Sequence, residues 1–148
     1  PIELLNMPKN SKYGFFELGM NHPGEISKLT KILQPEIAII LNIENVHIGN
    51  FHSLKEIAKA KSEIFSATKS VKHLILNKDT NYFTFIKDLA NKHKINTYNH
   101  ANFLSKEPDA IGLFFVLETF LSIFSSTISF TIHPALLIKI EPQKKRIK

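Results

Sequence analysis

Residues Ser53–Phe65 read SLKEIAKAKSEIF. Wound as a helix, this stretch places Leu54, Ile57, Ala58, Ile64 and Phe65 on one face. Lys61 falls on that same face, between Ile57 and Ile64. An ammonium on the buried stripe of a short helix costs on the order of a few kcal/mol unless it is paired, modified or able to reach water. Two readings follow. Either the stem packs and the amine snorkels outward, or Lys61 points into a site. Ser53 ahead of the apolar positions is the expected N-cap.

Working outward, the elements on both sides have the order of an α/β domain. Tyr13 to Leu18 (YGFFEL) is a short apolar run expected to form a buried strand, and it ends in Glu17. In an open α/β sheet, ligand groups lie beyond the carboxyl ends of the strands, so a carboxylate there is a candidate site residue. Asn21-His22-Pro23-Gly24-Glu25 marks a turn, followed by a helix from about Gly24 to Leu33 that Pro35 stops. Glu36 to Ile43 (EIAIILNI) reads as a second strand, apolar on both faces, leading to Asn45, His47, Gly49 and His52. Downstream, Lys72 to Asn77 is a third strand. A helix to about Lys92 follows, with Phe83, Ile86, Leu89 and Ala90 inward, and Ile95 to Tyr98 is a fourth strand. Strand and helix alternating with short connections predict a parallel sheet flanked by helices, with right-handed crossovers. That topology puts the ends of the first two strands, and with them Glu17 and His47, on one rim near Lys61.

The remainder is less regular. Ala110 to Phe120 (AIGLFFVLETF) is strongly helical in pattern, and apolar residues continue to Ile132. Glu118 inside this run, and the serines and threonines after it, argue for a buried helix and a further element rather than a membrane span.

Composition bounds the function. The chain has 148 residues, enough for one domain, and 43% of them are hydrophobic, enough for a core. No cysteine is present, which excludes disulfides and thiolate metal sites. The net charge of +6 is carried almost wholly by scattered lysines; Arg146 is the sole arginine, in a terminal cluster with Lys144, Lys145 and Lys148. Nucleic-acid binders concentrate arginine and aromatic residues on one face, so no nucleic-acid partner is expected. No secretory signal is present in the sequence. His22, His52, His73, His93, His100 and His133 show no metal-ligand spacing and read as structural.

Three ordered motifs carry a resemblance. Glu17-Leu18-Gly19-Met20-Asn21-His22-Pro23-Gly24-Glu25-Ile26, then Leu41-Asn42-Ile43 with His47, then Ala58-Lys59-Ala60-Lys61-Ser62-Glu63-Ile64-Phe65, resemble the central, ATPase-like domain of the Mur ligases. The likeness covers about Pro1 to Asp79 and is strongest to the branch that joins D-alanyl-D-alanine to UDP-N-acetylmuramoyl-tripeptide. It implies an ATP-dependent amide ligase of peptidoglycan synthesis in the bacterial cytoplasm, acting through an acyl phosphate. It also implies that Lys61 is carbamylated and catalytic, that His47 is catalytic, and that Glu17, His47 and Lys61 hold Mg2+. Oxygen donors of that kind suit magnesium. By the same resemblance the substrates are UDP-muramoyl tripeptide, D-Ala-D-Ala and ATP.

The chain departs from the family pattern in two places. No GxxGK[ST] phosphate loop occurs in the sequence, and the segment before Ala110, Leu104 to Asp109, lacks the family's GxHNxxNA. The expectation is therefore a truncated domain. Residues 1–107 are read as the central domain without its phosphate-loop portion, and residues 108–148 as a remnant of its end plus a linker to a third domain. Such a fragment is expected to be inactive alone and to need a complementing chain. The alternative is a non-catalytic α/β remnant or partner-binding subunit. A relative such as a folylpolyglutamate or cyanophycin synthetase is a third reading, which Asn21-His22-Pro23-Gly24-Glu25-Ile26 argues against.

Overall fold

The computed structural model describes residues 2–8, 11, 13–44, 50–99 and 135–139. His47, the stretch Ala110–Phe120 expected to be helical, the apolar run to Ile132 and the terminal basic cluster lie outside the described residues. After a short helix α1 (Ile2–Leu5), the order is β1 (Tyr13–Glu17), α2 (Glu25–Leu33), β2 (Ile37–Ile40), α3 (Leu54–Ser66), β3 (His73–Leu76), α4 (Phe83–Lys92), β4 (Asn96–Tyr98) and β5 (Ala135–Lys139).

Strands β2, β3 and β4 form a parallel ladder, with Ile37 opposite His73 and Leu74 opposite Thr97. This is the parallel sheet with flanking helices that the alternation of elements predicts. The sheet order is β1-β5-β2-β3-β4. The late strand β5 runs antiparallel to both β1 and β2, so β1 keeps the direction of β2 without touching it. That insertion is a departure from the sequence expectation, which foresaw no strand after the fourth. Leu136 is opposite Phe16 on one side and Ala38 on the other, which sets β1 and β2 level. The carboxyl ends of β1 and β2 therefore share one rim.

Burial follows the pleat. Along β2 and β3, Ala38, Ile40, Leu74 and Leu76 face the helices and join Ile26, Ile57, Ala58, Ile64, Phe65, Ile86 and Ala90 in one core. Ile37, Ile39 and Ile75 point to the other face, with Phe15, Leu41 and Tyr98 around them. Because successive side chains alternate across a strand, four consecutive buried residues in β2 require cover on both faces. That is what the unbroken apolar run in the sequence reports.

The helices end for local reasons. Gln34 closes α2 in the left-handed region at φ 51°, its N–H donating to the Thr30 carbonyl, and Pro35 follows. Ser53 caps α3, its hydroxyl accepting the Glu56 N–H at 3.2 Å. Glu56 in turn accepts the His52 N–H at 2.8 Å, a close variant of the reciprocal capping box. The start of α2 lacks a side-chain N-cap: Gly24 occupies that position at φ 88°, where a side chain would be strained.

Candidate functional site

Helix α3 carries Lys61 into the core with 2% of its surface exposed. The snorkelling reading fails here, because the amine turns inward. Its Nζ donates to the backbone carbonyl of Asn42 at 2.6 Å, just past the end of β2. Burial pulls its pKa down to about 8, partly opposed by the negative charge of Glu44. Against an ordinary lysine at 10.5, that shift raises the neutral, nucleophilic fraction of the amine at neutral pH by on the order of a hundredfold.

Side chains from two strand ends surround this contact. Asn77, following β3, donates its Nδ2 to Asn42 Oδ1 at 3.0 Å, while its backbone N–H reaches the Ile40 carbonyl at 3.2 Å. Asn42 Nδ2 lies 3.3 Å from Glu44 Oε1. The two asparagines thus tie the carboxyl ends of β2 and β3 and fix the carbonyl that holds Lys61. Glu17 sits exposed at the end of β1 on the same rim.

A second polar cluster lies between α2 and α3. Glu63 Oε1 accepts the Gly24 N–H at 2.8 Å and Oε2 accepts the Ser27 N–H at 3.0 Å. Within the turn, Glu25 Oε2 accepts the N–H groups of Asn21 at 2.6 Å and His22 at 3.1 Å. These bonds, Asn21 first, hold its carboxyl below the usual carboxylate range.

The structure thus places two of the three sequence-predicted site residues, Glu17 and Lys61, on one rim of the sheet, while His47 lies outside the described residues. Among the described residues no three His, Cys, Asp or Glu side chains gather as a metal centre. The oxygen donors near this rim are of the type that hard cations accept. Glu17, Glu44 and the amides of Asn42 and Asn77 offer oxygen. An ammonium offers none, but the neutral amine of Lys61 gains two oxygens if it takes up carbon dioxide. Two helix starts that could have met an anion are already used: Glu63 occupies the first turn of α2 and Ser53 that of α3. Sequence reading missed Asn77, Glu44 and Glu63 as parts of these clusters. The one available signal was negative: a helix starting after Pro23-Gly24, with no local cap, needs one from elsewhere.

The family described as the Mur ligase middle domain matches residues 1–132. A UDP-N-acetylmuramoyl-tripeptide–D-alanyl-D-alanine ligase of Rickettsia prowazekii is 48% identical over 85 residues, covering 57% of this chain and 19% of that protein. The enzymes of the same name from Buchnera aphidicola (Acyrthosiphon pisum strain) and Escherichia coli are 44% identical over 92 residues and 40% over 81. These alignments cover 62% and 55% of this chain, and 20% and 18% of the relatives. Among solved structures, a crystal structure of MurF from Acinetobacter baumannii aligns with a TM-score of 0.49 and 33% identity, over 55% of this chain and 18% of that one. The chain therefore spans about a fifth of the length of the curated relatives it matches.

Proposed function

Because the chain belongs to the Mur ligase middle-domain family, we propose that it supplies part of the catalytic domain of an ATP-dependent ligase. That enzyme joins D-alanyl-D-alanine to UDP-N-acetylmuramoyl-tripeptide in the bacterial cytoplasm, during peptidoglycan synthesis. The relatives' names supply the substrates. The observation in this chain that carries the reading is the buried Lys61 amine, held by the Asn42 carbonyl at the carboxyl-end rim.

In the proposed reaction the terminal carboxylate of the tripeptide attacks the γ-phosphorus of ATP, forming an acyl phosphate and releasing ADP. The neutral amine of D-Ala-D-Ala then attacks the acyl carbon, the C–O bond to phosphate breaks with its electron pair leaving on inorganic phosphate, and the nitrogen gives one proton to that phosphate or to water. Lys61 takes part as its carbamate: the neutral amine adds to carbon dioxide, gives up one proton and becomes a carboxylate. Burial disfavours the ammonium and so supplies the neutral amine that adds carbon dioxide; the anion formed needs a cation beside it to offset its own burial. A carbamate nitrogen keeps one N–H, so the bond to Asn42 O is chemically compatible with the modified side chain. Glu17 and carbamylated Lys61, with His47, would hold Mg2+, which when bound offsets charge on the transferred phosphoryl group.

Cradling the ATP phosphates falls to a loop outside these 148 residues, since they contain no GxxGK[ST]. A second reading is a non-catalytic α/β module that binds a partner. Phosphate release in the presence of Mg-ATP, the UDP-muramoyl tripeptide and D-Ala-D-Ala separates the two. The ligase reading expects release that requires all three, comes from the chain together with a phosphate-loop-bearing partner or segment, and falls by at least about a hundredfold in Lys61→Ala. No release under any such combination leaves the binding module. Mass spectrometry in bicarbonate expects one added carbon dioxide on the native chain, absent in Lys61→Ala.

A further inference from the structure

Glu63 has no role in the chemistry proposed above, yet it makes two of the longest-range side-chain bonds among the described residues. It lies two positions after Lys61, and residues so spaced on a helix point about 200° apart. Lys61 accordingly reaches the connection after β2, while Glu63 reaches the opposite way, to the connection after β1. There it meets the N–H groups of Gly24 and Ser27, at 2.8 and 3.0 Å, in the first turn of a helix whose own N-cap has no side chain. The segment it anchors runs back through Asn21 and His22, themselves tied to Glu25, to Leu18 and Met20 in the core and then to Glu17.

We infer that Glu63 is a positioning residue: it clamps α3 to the β1–α2 turn and so sets where Glu17 and Lys61 stand relative to each other. Helix α3 is thereby pinned on two sides by polar bonds, one from Lys61 and one from Glu63, which hydrophobic packing alone does not provide. Apolar contacts are non-directional, whereas two N–H···O bonds to a single carboxylate add a directional restraint. A shift of about 1 Å between groups that must share one ligand is enough to cost a large part of a site's activity. The relevance of this clamp to catalysis rests on the ligase reading above; the clamp itself does not.

The test uses the absence of cysteine in the chain. Spin labels on cysteines placed at the exposed positions Lys31 of α2 and Lys59 of α3 report the distance between the two helices in the full chain. With Glu63 present a single narrow distribution is expected. Glu63→Ala broadens or moves it, Glu63→Asp restores part of the narrowness, and a destabilised control in the α4 core, Ile86→Val, leaves it unchanged. A distribution in Glu63→Ala that matches the wild type, or that the control reproduces, overturns the inference. If Glu63→Ala does not fold, Glu63→Gln carries the same comparison, because its amide keeps one acceptor and loses the other.

A second readout follows carbon dioxide on Lys61 by native mass spectrometry at constant pH and bicarbonate. The adduct is expected to fall about tenfold in Glu63→Ala but not in Ile86→Val. A wild-type chain that never carries the adduct counts against carbamylation, and the spin-label distances then decide the clamp without it.

Discussion

Helices α2 and α3 begin in opposite ways. The start of α3 is local: Ser53 and Glu56 bond backbone within four positions of themselves. The start of α2 is borrowed, since Gly24 brings no side chain and the carboxylate of Glu63 arrives from 36 to 39 positions away. Helix α3 is thus self-sufficient and directs its own polar residues to neighbours, Glu63 to α2 and Lys61 to the end of β2. A local cap stabilises one helix. An exported bond also fixes the relation between two elements, so its removal is expected to cost more and to reach further.

The largest expected effect concerns the exported cation. Lys61 is protonated up to about pH 8 in the folded chain and up to 10.5 when unfolded. Burial of the charge weakens the fold below pH 8, and the penalty is withdrawn as pH rises towards 10.5, because only the unfolded chain still binds the proton in that window. Without carbon dioxide, denaturant unfolding is expected to show stability gained by about 3 kcal/mol across this interval. The gain is absent in Lys61→Met, where no proton is exchanged. Equal slopes in the two proteins would mean that the amine reaches water.

Next comes the exported anion. Glu63→Ala leaves the Gly24 and Ser27 N–H groups without acceptors in a partly buried place and is expected to lower stability by about 2 kcal/mol. Hydrogen exchange should quicken at residues 24–27 and at the first turns of α2. By contrast, Ser53→Ala is expected to cost only about 1 kcal/mol, with faster exchange confined to the start of α3. Should Ser53→Ala prove the costlier of the two, the distinction between local and borrowed starts collapses.

The same distinction explains what was legible in the sequence. Everything resting on neighbours in the chain could be read: the apolar run of β2, the Ser53 cap, the Pro35 stop, and the stripe that places Lys61 inward. Four strands and three helices follow from such patterns. What escaped depends on residues far apart. β5 enters between β1 and β2 from the end of the chain, and no local periodicity says where a strand will pair. Strand β2 itself is shorter than its apolar run, Ile37–Ile40 rather than Glu36–Ile43. Past Ile40 the backbone leaves the ladder, and Asn42 instead meets Lys61 and Asn77 through its carbonyl and amide. Of the site, Lys61 announced itself because a charge sat where the pattern demanded an apolar residue. Asn42, Asn77 and Glu63 conform to ordinary expectations for polar residues at strand ends and on helices, so nothing in their spacing set them apart.

Glu25 supplies the smallest effect and the finest test of the comparison, because it is a local contact within the borrowed start. Its carboxylate accepts the N–H groups of Asn21 and His22, which favour the ionised form and lower its pKa from 4.5. A carboxyl with a depressed folded pKa adds stability that is fully present above the unfolded value and is lost as pH falls through the folded one. The loss is expected to begin below about pH 5. Glu25→Gln should therefore lower the unfolding midpoint slightly at neutral pH and flatten its acid limb. The site is exposed, so solvent screens most of the interaction, and the change should be smaller than that of Ser53→Ala. If Glu63 is the true anchor of this turn, Glu25→Gln leaves hydrogen exchange at Gly24 and Ser27 as it was. If exchange there quickens as much as in Glu63→Ala, the turn is held from within, and the start of α2 is no more borrowed than that of α3.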